Sequence, residues 1–401
     1  MRNFPRISSQ INRNMDKHHW KNQLWWISIT FLFFLGVMFR THLHDSNADM
    51  EGYIRWYFYI KTNGIFDALG DNFAIYTPPY TYLLSLATFM PVQPIVAIKL
   101  IPIIMDFVNA FIIYKIVQYK YLSKMTSLLA SGIYLCLPTI YINSTIWGQI
   151  DGIYTGFLLL TLYFLIKEQP FWGIMAFSIA FAFKAQAVFI APLLVVLFFK
   201  KHIKFWHFFL IPGVYIVFCL PTVLLGRSLI DVLTIYLQQG NDLKWLSANT
   251  PNFYHYIPNS YYQPVVWIGI VIAVIGIGSW IIFTLKNKDP IDKEKFMLLA
   301  LISVVLMPFL LPKMHDRYFY PADVFSLVVA FYMPELWFLP IAYQIVSGFS
   351  YVPFLIDSGF SFLSFLQEIP GPSLLSVAIS VNLLSLIFLL RKQFRNLNLF
   401  K

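Results

Sequence analysis

The feature that most constrains this chain is a succession of apolar runs joined by short loops, which leaves almost no stretch suited to a water-soluble surface. The runs fall near 24 to 40, 96 to 118, 124 to 142, 151 to 166, 170 to 183, 187 to 199, 204 to 224, 263 to 284, 296 to 311, 318 to 333, 336 to 351 and 374 to 390. Most approach the roughly twenty residues a helix needs to cross a bilayer core. Only 12% of the 401 residues are charged and 58% are hydrophobic, far from the balance of a soluble domain. The pattern predicts an all-α polytopic membrane protein: one integral domain over 1 to 401, with about twelve transmembrane helices.

A formal charge of +10 would suit a nucleic-acid partner if the cations formed one patch. They do not. The N-terminal Arg2, Arg6, Arg13, Lys17 and Lys21, the turns around 115 to 124, 167, 200 to 204 and 286 to 295, and the tail from 391 are short basic clusters between apolar runs. That is the positive-inside pattern. The apolar stretch 78 to 91, bounded by prolines, decides the sidedness. If it spanned, every later basic turn would face outward, so it is expected to lie along the outer surface as an interfacial or re-entrant helix, with both termini cytoplasmic. The basic start runs into its apolar stretch without a small-residue cleavage site and reads as a retained anchor. Cys136 and Cys219 lie in apolar runs and imply neither a disulfide framework nor a metal cluster. Neither a Walker loop nor a dinucleotide fingerprint occurs, which argues against ATP-driven transport by this chain alone.

With that orientation the outer face collects most of the chemically versatile residues: a first loop over 41 to 95, a second over 225 to 262, and three shorter breaks. The first loop carries Asp45, Asp49 and Glu51, with Arg55 and Trp56 after them. Carboxylates at a membrane exit read either as solvated loop or as a general base. Lys184 interrupts about thirty apolar residues, too long for one span, so a broken hairpin is expected with Lys184 and Gln186 at its outer turn; a lysine there suits a phosphate. Trp147, Gln149 and Asp151 open a helix and suit a sugar, although Trp is also common at interfaces with no such role. His315, Asp316 and Arg317 join two apolar runs, where an imidazole and a guanidinium offer donors to a phosphate; a His-Asp pair in a loop is also often structural. A glycan on Asn143, whose sequon abuts a membrane helix, is not expected.

In chain order these motifs resemble the GT-C class of integral-membrane glycosyltransferases, which take sugars from polyprenyl phosphates. The similarity is to the dolichyl-phosphate-glucose α-1,3-glucosyltransferases and to bacterial relatives of the GPI mannosyltransferases. Asp49, Glu51 and Trp56 match the first-loop acidic motif; Tyr76-Thr77-Pro78-Pro79 looks like the Y-P-P at the start of a surface helix. Phe183-Lys184-Ala185-Gln186 with Ala191-Pro192 looks like the F-K-Q and Ala-Pro elements, and His315-Asp316-Arg317 like H-E-K. FKAQ carries one extra residue, and Asp-Arg stands for Glu-Lys after His315.

The resemblance implies an inverting transfer of a hexose, mannose or glucose, from a polyprenyl-phosphate donor to a glycan or glycolipid acceptor, at the outer face of what would be a bacterial cytoplasmic membrane. It places the general base on Asp49, the donor-phosphate contacts on Lys184, His315 and Arg317, and sugar or acceptor contacts among Asp45, Glu51, Trp147, Gln149, Asp151 and Gln186. No cofactor is required, and a divalent ion bridging Asp49 and Asp151 stays open. The rival classes are a flippase or polymerase of lipid-linked glycans, and an inactive structural subunit. A flippase would place cations along a central cavity and a polymerase would carry an Arg-rich outer loop, whereas 225 to 262 holds only Arg227 and Lys244.

Overall fold

The computed structural model describes residues 23–41, 43, 46–242, 244–358 and 371–395. Helix α1, Gln23–Thr41, is apolar but only 17% buried within its most hydrophobic window, so its side chains face outward from the bundle. After it Asn47, whose side chain accepts from Met50 N at 3.0 Å, caps α2, Ala48–Asn63. Asp49 and Glu51 sit in that first turn, where carboxylates meet the positive end of the helix. Gly64 at φ 87° ends α2 and leads into α3, Ile65–Gly70. Pro78 and Pro79 open α4, Pro78–Ala87, whose 10 residues reach about 15 Å, half a bilayer core. The 41–95 loop thus contains three helices, of which α4 is packed on its neighbours over most of its length.

Helix α5, Pro94–Lys120, has 27 residues and spans about 40 Å. It supports α6, Lys124–Cys136, which stops before Pro138. The chain turns by 54° into α7, Pro138–Tyr141, which widens into a π-type turn over Ile142–Trp147. Gly148 ends the turn at φ 76°, in the left-handed region where an L side chain is strained and glycine is not. Helices α8, Asp151–Ile166, and α9, Pro170–Phe183, follow as a closely packed pair. The expected break comes next: Lys184 is extended, Ala185–Ile190 is a 3₁₀ turn, and Pro192 opens α10, Ala191–Phe199.

Helices α11, Leu210–Leu224, α12, Leu229–Asp242, and α13, Tyr262–Lys286, are peripheral. Trp267, Ile268 and Ile275 on α13 are more than half exposed, a face that suits lipid. Helix α14, Lys293–Leu310, is the innermost, buried from Phe296 to Leu306 without interruption. Helices α15, Tyr320–Tyr332, α16, Phe338–Asp357, and α17, Gly371–Phe394, close the bundle. A two-residue parallel pairing, β1 Ser247–Ala248 with β2 Met314–His315, ties the 225–262 loop to the segment before α15.

Each of the twelve apolar runs is helical. By length and hydropathy six described helices qualify as membrane spans, seven if the bent pair Lys124–Cys136 and Pro138–Trp147 counts as one. Asp151–Ile166, Pro170–Phe183, Ala185–Phe199 and Tyr320–Tyr332 are shorter apolar helices. The chain is an integral membrane protein with an all-α bundle. Its two ends differ. At one end α2, the turn before α8, the break after α9 and the 313–318 segment converge. At the other, Lys120 pairs with Glu294 at 2.8 Å, Lys392 with Glu335 at 2.7 Å, and Lys200 donates to Asn287 O.

Candidate functional site

Four separate segments bring their polar side chains together at the first of these ends. Asp49, from the opening turn of α2, accepts on Oδ2 from Trp147 Nε1 at 2.8 Å and from Gln149 Nε2 at 2.6 Å. Arg317 Nη1 stands 3.7 Å from the same oxygen. All hydrogen bonds and the ion pair of Asp49 fall on Oδ2, and its side chain is 37% exposed, so Oδ1 faces the opening of the site.

Behind Asp49 lies a second carboxylate of opposite character. Asp151, the first residue of α8, is completely buried. Lys184 Nζ sits 2.5 Å from its Oδ1, Asn143 donates to its Oδ2 at 3.0 Å, and Arg317 Nε is 3.7 Å from Oδ2. A buried carboxylate needs such company, because desolvation otherwise makes its charge prohibitive. Lys184 also lies over the Tyr154 ring at 5.6 Å.

Arg317 joins the two carboxylates. Burial opposes its charge, but Asp316, Tyr76, Asp49 and Asp151 outweigh that and hold the guanidinium more firmly protonated than usual. It lies within 3.7 Å of one carboxylate oxygen of each aspartate. Among the described residues no cluster of three or more His, Cys, Asp or Glu is placed to hold a metal.

The site residues expected from the sequence separate into those that converge and those that stand apart. Asp49, Trp147, Gln149, Asp151, Lys184 and Arg317 share one network. Trp147 is fully buried, stacked on Phe354 at 3.9 Å and covered by Arg317 at 5.3 Å. Both ring faces are therefore occupied, and Trp147 holds Asp49 instead of offering a platform. Gln149 is likewise buried, donating to Asp49 and accepting from Tyr53 at 3.1 Å. Lys184 is buried against Asp151 and does not project from an exposed turn.

His315 turns toward Asp316, 3.6 Å away, and the Tyr318 ring. Gln186 lies against Tyr318. Glu51 is exposed on another face of α2, because positions two apart on a helix point in different directions. Asp45 lies outside the described residues. Several participants were not among the expected site residues: Tyr53 and Tyr76, the latter read only as part of the Y-P-P motif, whose hydroxyls are 2.9 Å apart beside Gln149, and Asn143, read only as a sequon. Lys99, buried on α5 beneath Gly148, did carry a signal in the sequence, since a lysine within an apolar span is costly.

Chemically, the arrangement is a half-open carboxylate fixed by two neutral N–H donors, beside two cations balanced against a buried carboxylate. It can take a proton at Asp49 and can offer Arg317 and Lys184 to an incoming anion.

No family model matches this chain, and no curated protein matches it in sequence. A solved structure does: ArnT from Cupriavidus metallidurans, bound to undecaprenyl phosphate, at a TM-score of 0.53 and 12% identity, over 92% of this chain and 76% of that one. At that identity the likeness speaks for the backbone alone: the chain shares the membrane fold of the ArnT structure.

Proposed function

We propose that the chain is an inverting glycosyltransferase that moves a hexose, mannose or glucose, from a polyprenyl-phosphate donor to a glycan or glycolipid acceptor. The observation that carries this reading is the placement of Asp49: Oδ2 is held by Trp147, Gln149 and Arg317 while Oδ1 opens outward. A base must be fixed in orientation yet keep one oxygen within reach of the substrate proton. The bound lipid of the ArnT structure makes a lipid phosphate the natural donor class for this fold.

In the reaction the acceptor hydroxyl oxygen attacks the anomeric carbon from the side opposite the phosphate. Its proton passes to Asp49 Oδ1, the new C–O bond forms, and the anomeric C–O bond to phosphate breaks with its electron pair leaving on the phosphate. That leaving group is already anionic and needs cations more than a proton. Arg317 and Lys184 supply them, exchanging part of their contact with Asp49 and Asp151 for phosphate oxygens. His315, partly exposed beside them, is a further donor. No cofactor enters the chemistry proposed.

The basic clusters at the far end of the bundle support an orientation with that end in the cytoplasm and the site facing outward. Membranes containing the protein, incubated with radiolabelled undecaprenyl-phosphate mannose and undecaprenyl-phosphate glucose, test the reading. Label from one donor moves to an acceptor, with release of undecaprenyl phosphate, and the reaction persists in detergent. Label that crosses sealed vesicles without being transferred would make the chain a flippase and overturn the reading.

A further inference from the structure

A second ion pair lies within the bundle, and the reaction makes no direct use of it. Asp106, on α5, and Arg40, at the end of α1, are both buried. Arg40 donates to Asp106 Oδ2 from Nε at 3.0 Å and from Nη2 at 2.7 Å. Its Nη1 reaches Gly36 O at 2.7 Å and Leu135 O at 2.8 Å. Leu135 O is available because α6 breaks: Thr139 N, its helical partner by spacing, bonds Gln344 Oε1 at 3.0 Å.

Asp106 has a third donor, Ser144 Oγ at 2.6 Å. Ser144 sits in the π-type turn Ile142–Trp147. Asn109, one helical turn beyond Asp106 on α5, donates at 2.8 Å to the carbonyl of Gly152, eight residues after Ser144. Helix α5 therefore grips this segment on both sides of the site residues, with Trp147, Gln149 and Asp151 between the two grips. Asn47, the cap of α2, adds bonds to Ile146 O and Trp147 O at 3.3 and 3.1 Å.

A buried ion pair adds little net stability over a well-packed apolar pair, because desolvation offsets its attraction. What it adds here is direction. A π-type turn has one residue more per turn than an α-helix, and relaxing it to α geometry would rotate Trp147 and Gln149 away from Asp49. We infer that Arg40 and Asp106 are positioning residues, which through Ser144 hold the π-type turn and so set Trp147 and Gln149 on the Asp49 carboxylate.

The test has one readout that does not depend on the proposed activity and one that rests on it. In protein labelled with 5-fluorotryptophan, the 19F resonance of Trp147 is assigned by its loss in Trp147→Phe, and its displacement by Asp49→Ala, which removes the acceptor oxygen, calibrates the loss of that contact. Arg40→Met combined with Asp106→Leu replaces the pair by apolar side chains and is expected to displace the Trp147 resonance in the same sense. Ser144→Ala, which removes one hydroxyl, displaces it less. A pair that served stability alone would lower the thermal midpoint and leave the resonance of the folded protein in place; an unmoved resonance in the folded double variant overturns the inference. If the double variant does not fold, Ser144→Ala decides on the same criterion.

With undecaprenyl-phosphate hexose as donor, Ser144→Ala lowers kcat severalfold while the donor KM stays within twofold. An unchanged kcat would also overturn the inference. If wild-type protein transfers no sugar, the proposed reaction fails while the 19F result still stands or falls by itself.

Discussion

Among the described residues the bundle contains two buried aspartate-cation pairs, and they differ in what lies next to them. Arg40–Asp106 is closed, with side chains 3% and 0% exposed, and the hydrogen-bond partners of Arg40 besides Asp106 are backbone carbonyls. Lys184–Asp151 is 8% and 0% exposed, but Arg317 connects it to the half-open Asp49. Burial is nearly the same in both. What differs is the second neighbour: Arg317 links Asp151 to the half-open Asp49, which on the proposed reading gives that pair its chemical role.

Replacing each pair by apolar residues sharpens that contrast. Lys184→Met with Asp151→Leu leaves a protein that still inserts and folds, since no unpaired buried charge remains. Its sugar transfer should fall by roughly 10²–10³, the range seen when a preorganised charge contact is lost. Arg40→Met with Asp106→Leu should fold equally well and lose far less transfer; comparable losses would erase the distinction. Both are measured by initial rates on purified protein.

Single substitutions break the pairs unevenly. Lys184→Ala leaves Asp151 with only Asn143 and a distant Arg317, and should cost about 3–5 kcal/mol of stability, the range for an orphaned buried charge, visible as a lowered thermal midpoint. Donor affinity measured on the surviving folded fraction should also weaken, and unchanged affinity would remove Lys184 from the phosphate site.

Smaller effects follow further from the carboxylates. Arg317→Lys cannot face Asp49 and Asp151 together with one planar group and should slow transfer roughly tenfold, about 1.4 kcal/mol. Tyr53→Phe removes the hydroxyl that donates to Gln149 and should cost about 1 kcal/mol in transition-state stabilisation, read in kcat/KM. At the opposite end, Lys120→Ala breaks a partly exposed pair with Glu294, worth at most about 1 kcal/mol, and should leave transfer unchanged.

The helices were legible because hydrophobic runs and their prolines are local signals. The runs at 151 to 166 and 170 to 183 coincide with α8 and α9, and Pro138 and Pro192 mark where neighbouring helices break or begin. Asp49, Lys184 and Arg317 were legible as charges at the ends of such runs. The roles of Trp147 and Gln149 were not. Periodicity cannot tell whether an aromatic ring near an interface is open to a ligand or stacked between Phe354, some two hundred positions away, and Arg317. Arg40 and Asp106 failed for a related reason: each reads as an ordinary polar break in an apolar run until the fold brings them to 2.7 Å. The first outer loop was expected to hold one surface helix, and the capped α2 and the short α3 before it follow from Asn47 and Gly64, signals too brief to separate from loop chemistry.

The central claim is that Asp49 is the base. The most direct measurement is the rate of sugar transfer from undecaprenyl-phosphate hexose by purified Asp49→Asn, alongside its affinity for undecaprenyl phosphate. The carboxamide keeps the size and the acceptor oxygen for Trp147 and Gln149 but cannot take the hydroxyl proton. Transfer should fall by about 10²–10⁴, the contribution of a positioned general base, with affinity for the lipid phosphate retained. Wild-type transfer by folded Asp49→Asn would contradict the account.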